Sequence, residues 1–161
     1  MPMAIREFVL DTYVHLAPMK MLEDLSGGNA VRTPLPHMHS VSGLVAHMDF
    51  WQRWFLQRCA GVAVPMATRA ADGWPDVTAE GWPALLARFE RGLHMVADLG
   101  DDVPALDQPM QPAIEFPPLA GYTRRDALVH IAQHNSHHLG QVVSARQFLG
   151  LWPPRAGSWT W

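Results

Sequence analysis

Four of the nine histidines in this 161-residue chain fall within nine residues, in the stretch HIAQHNSHHLGQ from His130 to Gln141. Imidazole binds divalent metal ions, so the cluster raises the question of metal ligation. Direction on a helix decides which rings can cooperate. Each residue turns a helix by about 100°. Ala127, Ile131, Val142, Ala145 and Leu149 then define an apolar stripe between about −40° and +20° of Ile131. His138 falls at about −20°, inside that stripe, and His134 at about −60°, beside it. His130 and His137 fall at about −100° and −120°, on the flank.

His134 and His138 are four residues apart and share the inward side, with Cβ atoms roughly 6 Å apart. Two imidazoles so placed can meet one ion at roughly 2.0–2.1 Å. An inward polar ring without a partner costs on the order of 1–3 kcal/mol. A metal satisfies one nitrogen of each ring and leaves the other to donate to a supporting group. The competing arrangement pairs His134 with His137, three residues on.

A third ligand must come from another helix. His47, in LVAHMDFWQRWF, lies three past Leu44 and four before Trp51 and so joins an apolar stripe. Asp49 points nearly the opposite way. His15, His94 and Glu90, the last near an inner helix face, are geometric alternatives. His130, His137, Gln141 and Glu90 are candidate supporting groups; Gln141 lies three past His138. His37 and His39 sit in a polar turn and read as solvated, as does Asp101-Asp102. Cys59, the single cysteine, reads as an incidental thiol. No general base stands out.

Four helical segments must position these groups. The first covers about residues 3 to 25, with Ile5, Phe8, Val9, Leu16, Met19 and Leu22 near helical spacing; Pro18 kinks or splits it and SGGN stops it. The second runs from about Ser40 to Ala60, ended by Gly61. A long loop, VAVPMATRAADGWPDV, is unusual for a mere connector and can cross the bundle or shape a pocket. The third helix starts after Thr78, carries Trp82, Leu85, Leu86, Phe89, Leu93 and Val96, and ends at Gly100. A second long loop, DDVPALDQPMQPAIEFPPLAGY, is too proline-rich for a helix. The fourth opens on the capping-box pattern Thr123 to Asp126 and runs to Leu149, closed by Gly150. A Pro-rich aromatic tail lies on the surface or against a partner. Strand signals are weak throughout. The pattern predicts an all-α four-helix bundle with two long connections, residues 1–161 forming one domain.

Composition sets the limits. Almost half the residues are apolar, which argues against disorder, and the net charge is −3. Basic residues do not cluster, so nucleic acid is not an expected partner. No apolar run approaches the roughly 20 residues of a membrane span. One cysteine excludes an internal disulfide, and the first residues carry charges too early for a secretory signal, so a cytoplasmic protein is expected. Seven tryptophans and the aromatic tail are generous apolar exposure for a small monomer, and a homodimer is expected.

LVAHMDFWQRWFLQRCAG followed by LVHIAQHNSHHLGQVVSARQFLG resembles the DinB/YfiT-like superfamily. The likeness extends over length, helix order and loop placement, and its specific part is the last-helix motif. It implies a four-helix bundle, often dimeric, with a metal triad on His47, His134 and His138, in agreement with the facing of those residues. The position after His138, often arginine in such proteins, is Leu139 here. The resemblance further implies a divalent ion, zinc or nickel, and a low-molecular-weight thiol cofactor in some members. Three histidines leave an ion with open positions, the catalytic rather than the structural pattern. A metal-dependent thiol S-transferase or hydrolase, activating a thiol or water for a small-molecule substrate, is the first expectation. The alternatives are a non-catalytic metal-binding or stress-related binding protein and a purely structural bundle.

Overall fold

The computed structural model describes residues 4–10 and 15–157. It contains seven α-helices among those residues and no strand longer than an isolated bridge. They are α1 (Ile5–Leu10), α2 (Pro18–Leu22), α3 (Gly27–Ala30), α4 (Val41–Cys59), α5 (Trp82–Asp101), α6 (Val103–Leu106) and α7 (Arg124–Phe148). The all-α class is as expected.

Three of the four expected long helices are present. Their ends are set locally. Ser40 Oγ accepts from Gly43 N at 3.1 Å to start α4. Thr123 and Asp126 form the expected reciprocal box at the start of α7, with Thr123 N donating to Asp126 Oδ2 at 2.8 Å. Gly61 and Gly150 follow α4 and α7 with φ of 83° and 69°, the left-handed conformation that stops a helix cheaply only at glycine.

The first expected span is split ahead of Pro18, as that residue allowed, into α1 and α2, and the short α3 follows beyond it. Pro18 opens α2, where its missing N–H is harmless. Met3 and residues 11–14 of the expected span lie outside the described residues. SGGN does not stop a helix but begins one, since Ser26 Oγ accepts from Asn29 N and caps α3. Phe8 is 44% exposed and is not part of the inward stripe. Gly100 lies inside α5, buried against Ile5, and the helix ends one residue later. Asp101 is an ion-pair partner rather than a free loop residue, with Arg6 Nη2 2.6 Å from its Oδ2. The loop expected to be too proline-rich for a helix holds the short α6 and a 3-10 turn at Pro117–Leu119.

α4 is central: it packs against both α5 and α7, while α1 lies mainly on α5. Leu44, Val45, Met48 and Phe55 of α4 meet Trp82, Leu85, Phe89, Leu93 and Val96 of α5 and Ala127, Ile131, Val142 and Ala145 of α7 in one core. On α7 the buried set also includes Leu128, Asn135, Leu139 and Arg146. Those four lie at about +40° to +80° from Ile131, so the core-facing arc is centred further round than the apolar stripe alone suggests. His134 and His138 therefore sit at the edge of the core rather than at its centre. Arg146 is buried at the far end of α7, where its guanidinium donates to Met21 O and Leu151 O and lies 5.5 Å from the Trp152 ring. That holds the start of the tail to the body; Trp159 and Trp161 lie outside the described residues.

Candidate metal centre

His47 is delivered by the middle of α4 and His134 and His138 by consecutive turns of α7, the helix packed against it. Their ligand atoms all lie within 4.8 Å of one another, the one such cluster of three or more His, Cys, Asp or Glu among the described residues. His47 Nε2 and His134 Nε2 are 3.2 Å apart. His47 and His138 are buried and His134 is half-buried.

Two of the rings are held from behind. His47 Nδ1 donates to Gly73 O at 2.7 Å, and His138 Nδ1 donates to Gln141 Oε1 at 2.6 Å. A proton fixed on Nδ1 leaves Nε2 as a lone pair aimed away from the anchor. The long loop before α5 supplies the first anchor and more. Trp74 stacks on the face of His47 with centroids 3.8 Å apart, and His39 stacks on the other face of Trp74 at 3.8 Å. His39, expected as a solvated turn residue, is exposed but belongs to this stack. Gly73 and Trp74 are the residues sequence reasoning missed. The loop's length was the one available signal, since nothing local tells a tryptophan which ring it will cover.

The other candidates separate clearly. His130 is half-buried beside Phe55, shares a hydrogen bond of 3.0 Å between its Nδ1 and the Tyr122 hydroxyl, and has its centroid 6.5 Å from that of His134. His137 is exposed, next to His138 on the outside. Glu90 is exposed on α5 rather than turned to its inner face, because Phe89 and Leu93 take the core side. His94 is exposed too, and His15 is engaged with the Leu16 carbonyl.

Electrostatics favour neutral rings. Burial, then the charges of His138, His47 and His130, push the His134 pKa down to about 3. Burial is also the first cause lowering His47 and His138, opposed by their bonds to Gly73 and Gln141. His130 is lowered by burial alone. The cluster thus presents neutral imidazoles at pH 7, the form that ligates metal. The spacing fits as well. Two nitrogens at 2.0–2.1 Å from a tetrahedral ion stand about 3.3 Å apart, against the 3.2 Å between His47 Nε2 and His134 Nε2.

Residues 8–149 match the family described as mycothiol-S-transferase. The chain belongs to this family, which is DinB/YfiT-like. The matched span of this mycothiol-S-transferase family member includes all three clustered histidines and the loop that holds His47. A solved structure described as a conserved protein from Enterococcus faecalis shares its fold, with a TM-score of 0.56 and 16% identity over 91% of each chain. No curated protein matches the chain. No helix among the described residues is long and apolar enough to cross a membrane.

Proposed function

We propose that His47, His134 and His138 hold a divalent ion, zinc or nickel, and that the protein is a metal-dependent transferase acting through a low-molecular-weight thiol such as mycothiol. The observation that carries this is the convergence of three neutral imidazoles, two of them anchored through Nδ1 so that Nε2 faces the common point. Once bound, the ion would supply positive charge that lowers the pKa of a thiol or water and makes a nucleophile at neutral pH.

The chain's own residues supply the rest. The three imidazoles add no negative charge, so a bound dication keeps its charge for an anionic sulfur. Gly73, Trp74 and Gln141 fix ring orientation. The protein cannot provide the nucleophile itself: Cys59 is buried, 4.0 Å from Met110 Sδ, and burial pushes its thiol up to about 11. The thiol therefore comes from outside. The small-molecule electrophile, a cytoplasmic setting and a homodimer complete the proposal; exposed Phe8 and Phe148 are consistent with a covered face in a dimer.

Elemental analysis of protein purified without chelator tests the proposal first, with near-stoichiometric metal or ready uptake expected. Cobalt-loaded protein should then change its spectrum on adding mycothiol, and transfer to an electrophile should follow. Thiol binding without turnover would favour a binding protein. No metal uptake would favour a structural bundle. Light scattering giving the mass of one chain over a wide concentration range would remove the dimer.

A further inference from the structure

Arg58, in the last turn of α4, is only 5% exposed, yet it forms none of the ion pairs among the described residues. Its guanidinium donates to carbonyls instead. Nη1 lies 3.5 Å from Val64 O, and Nη2 lies 2.6 Å from Pro112 O and 2.7 Å from Ala113 O. Those bonds staple two loops to the end of α4. The carbonyl end of the helix offsets part of the charge. A staple explains neither of two remaining features. Nε–H is buried with no hydrogen-bond partner, and an orphan donor in a core needs a reason. A full charge shut away from water is costly unless an opposite charge meets it.

Arg58 also lines a cavity of about 250 Å³ between the end of α4, residues 108–111 and the start of α7. Buried Cys59 and Met110, half-buried Arg124 and exposed Gln108 and Gln111 line it too. Val64, Pro112 and Ala113 do not, so the Arg58 donor left over is the one available to it. The lining brings two guanidinium charges and no carboxylate. Arg124 has only a loose counter-charge outside, Asp102 at 4.0 Å and 56% exposed. Two backbone bonds fix the shape: Arg124 N donates to Gln108 O at 3.2 Å and Met110 N to Tyr122 O at 2.9 Å. The volume falls below the roughly 300–1,000 Å³ of sites for larger organic ligands. Arg58 lies about three turns past His47 on α4, about 16 Å along the axis, so a ligand in this cavity does not touch the metal centre.

We infer that this cavity is a second binding site, for a small oxyanion, held between the guanidinium groups of Arg58 and Arg124. The planar guanidinium fork matches the oxygens of a carboxylate or a phosphate group, which is the ligand chemistry the site selects. The anion accepts from Arg58 Nε–H and from Arg124, giving the buried charge its partner and the orphan donor its acceptor. The site stands apart from the metal-binding role proposed above and does not depend on it.

Titrating the whole chain with inorganic phosphate, and separately with succinate, tests this by nitrogen–proton NMR. The Arg58 Nε–H is shut off from solvent, so its proton exchanges slowly and reports directly. Saturable shifts are expected there and at the backbone amides of Met110 and Gln111, and the anion that saturates at the lower concentration identifies the preferred oxygen group. Arg124→Gln should weaken binding roughly ten-fold or more, the loss of a charged hydrogen bond, and Arg124→Lys should recover part of it. Arg125→Gln removes the same charge one residue on, where Asp107 already neutralises it at 2.7 Å, and should leave the affinity unchanged. No saturable shift with either anion would overturn the inference. So would equal affinity in the wild type and a folded Arg124→Gln variant, or equal losses from Arg124→Gln and Arg125→Gln, which would reduce the effect to surface charge. Shifts confined to the rings of His47, His134 and His138 would overturn it as well and leave the metal-binding role standing.

Discussion

His47 and Asp49 lie two residues apart on α4, both buried, and the fold treats them in opposite ways. Asp49 is neutralised by charge: its Oδ2 accepts from Arg53 Nε at 3.0 Å and from Arg88 Nε at 2.8 Å, the second reaching across from α5. Both arginines keep over two-fifths of their side chains in solvent and, through Oδ2, compensate the charge and tie two helices, while Oδ1 is buried without a hydrogen-bond partner. His47 meets no counter-charge. Its partners are a carbonyl, an indole face and two more imidazoles. Opposite charges that cancel explain themselves as structure. Neutral lone pairs turned toward one point do not, because nothing in the protein satisfies them all, and that difference supports the metal-binding role proposed for the imidazole face of α4.

The sharpest way to break this comparison is to remove the ligands. Alanine at His47, His134 or His138 should each cost more than about 100-fold in metal affinity, beyond the 10–100-fold range of supporting groups. His137→Ala, on the exposed side of α7, should retain most of the metal. Tighter binding by the His138→Ala protein than by the His137→Ala protein, measured by titrating both with the same ion, would overturn the assignment.

Acid probes the imidazole side first, through the sign of its shifts, because the ion-paired and capping carboxylates Asp72, Asp107 and Asp126 titrate only below their ordinary value of 3.8. His47, His130, His134 and His138 all have pKa values lowered in the folded chain from about 6.5, His134 to about 3. The unfolded chain therefore binds protons more readily below pH 6.5. Stability of the metal-free protein is fully present above that pH and should be lost progressively as pH falls from 6.5 toward 3. Denaturant midpoints across this range check it, and a His134→Gln variant should show a shallower loss. An identical slope in the variant would contradict the ordering of the rings.

The smallest effect belongs to the charged side. Asp49→Asn should destabilise the chain by about 1–3 kcal/mol, the cost of weakening buried hydrogen bonds, while metal stoichiometry and affinity stay unchanged. Calorimetry of the folded variant with the same ion separates the two readouts. A parallel fall in affinity would show that the two faces of α4 are not independent.

Local chemistry is what the sequence determined. Ser40, Thr123 and Asp126 cap helices through bonds three residues long, and Gly61 and Gly150 end them through their own backbone conformation. The four-residue step from His134 to His138 places two rings on one side of a helix whatever surrounds it. Pro18 likewise announced a break by its missing N–H. Tertiary structure decided the rest. It selected His47 over His15, His94 and Glu90, since its contact with His134 spans 87 positions and depends on how α4 meets α7. It brought Gly73 and Trp74 onto His47 from 26 residues away, drew His39 into the stack, and turned α7 so that Asn135 faces the core while His134 and His138 sit at its edge. Helical periodicity fixes only the relative directions of side chains along one element. The absolute rotation of each helix, and the path of a loop with no periodicity of its own, are set by packing between elements that only the folded chain brings together.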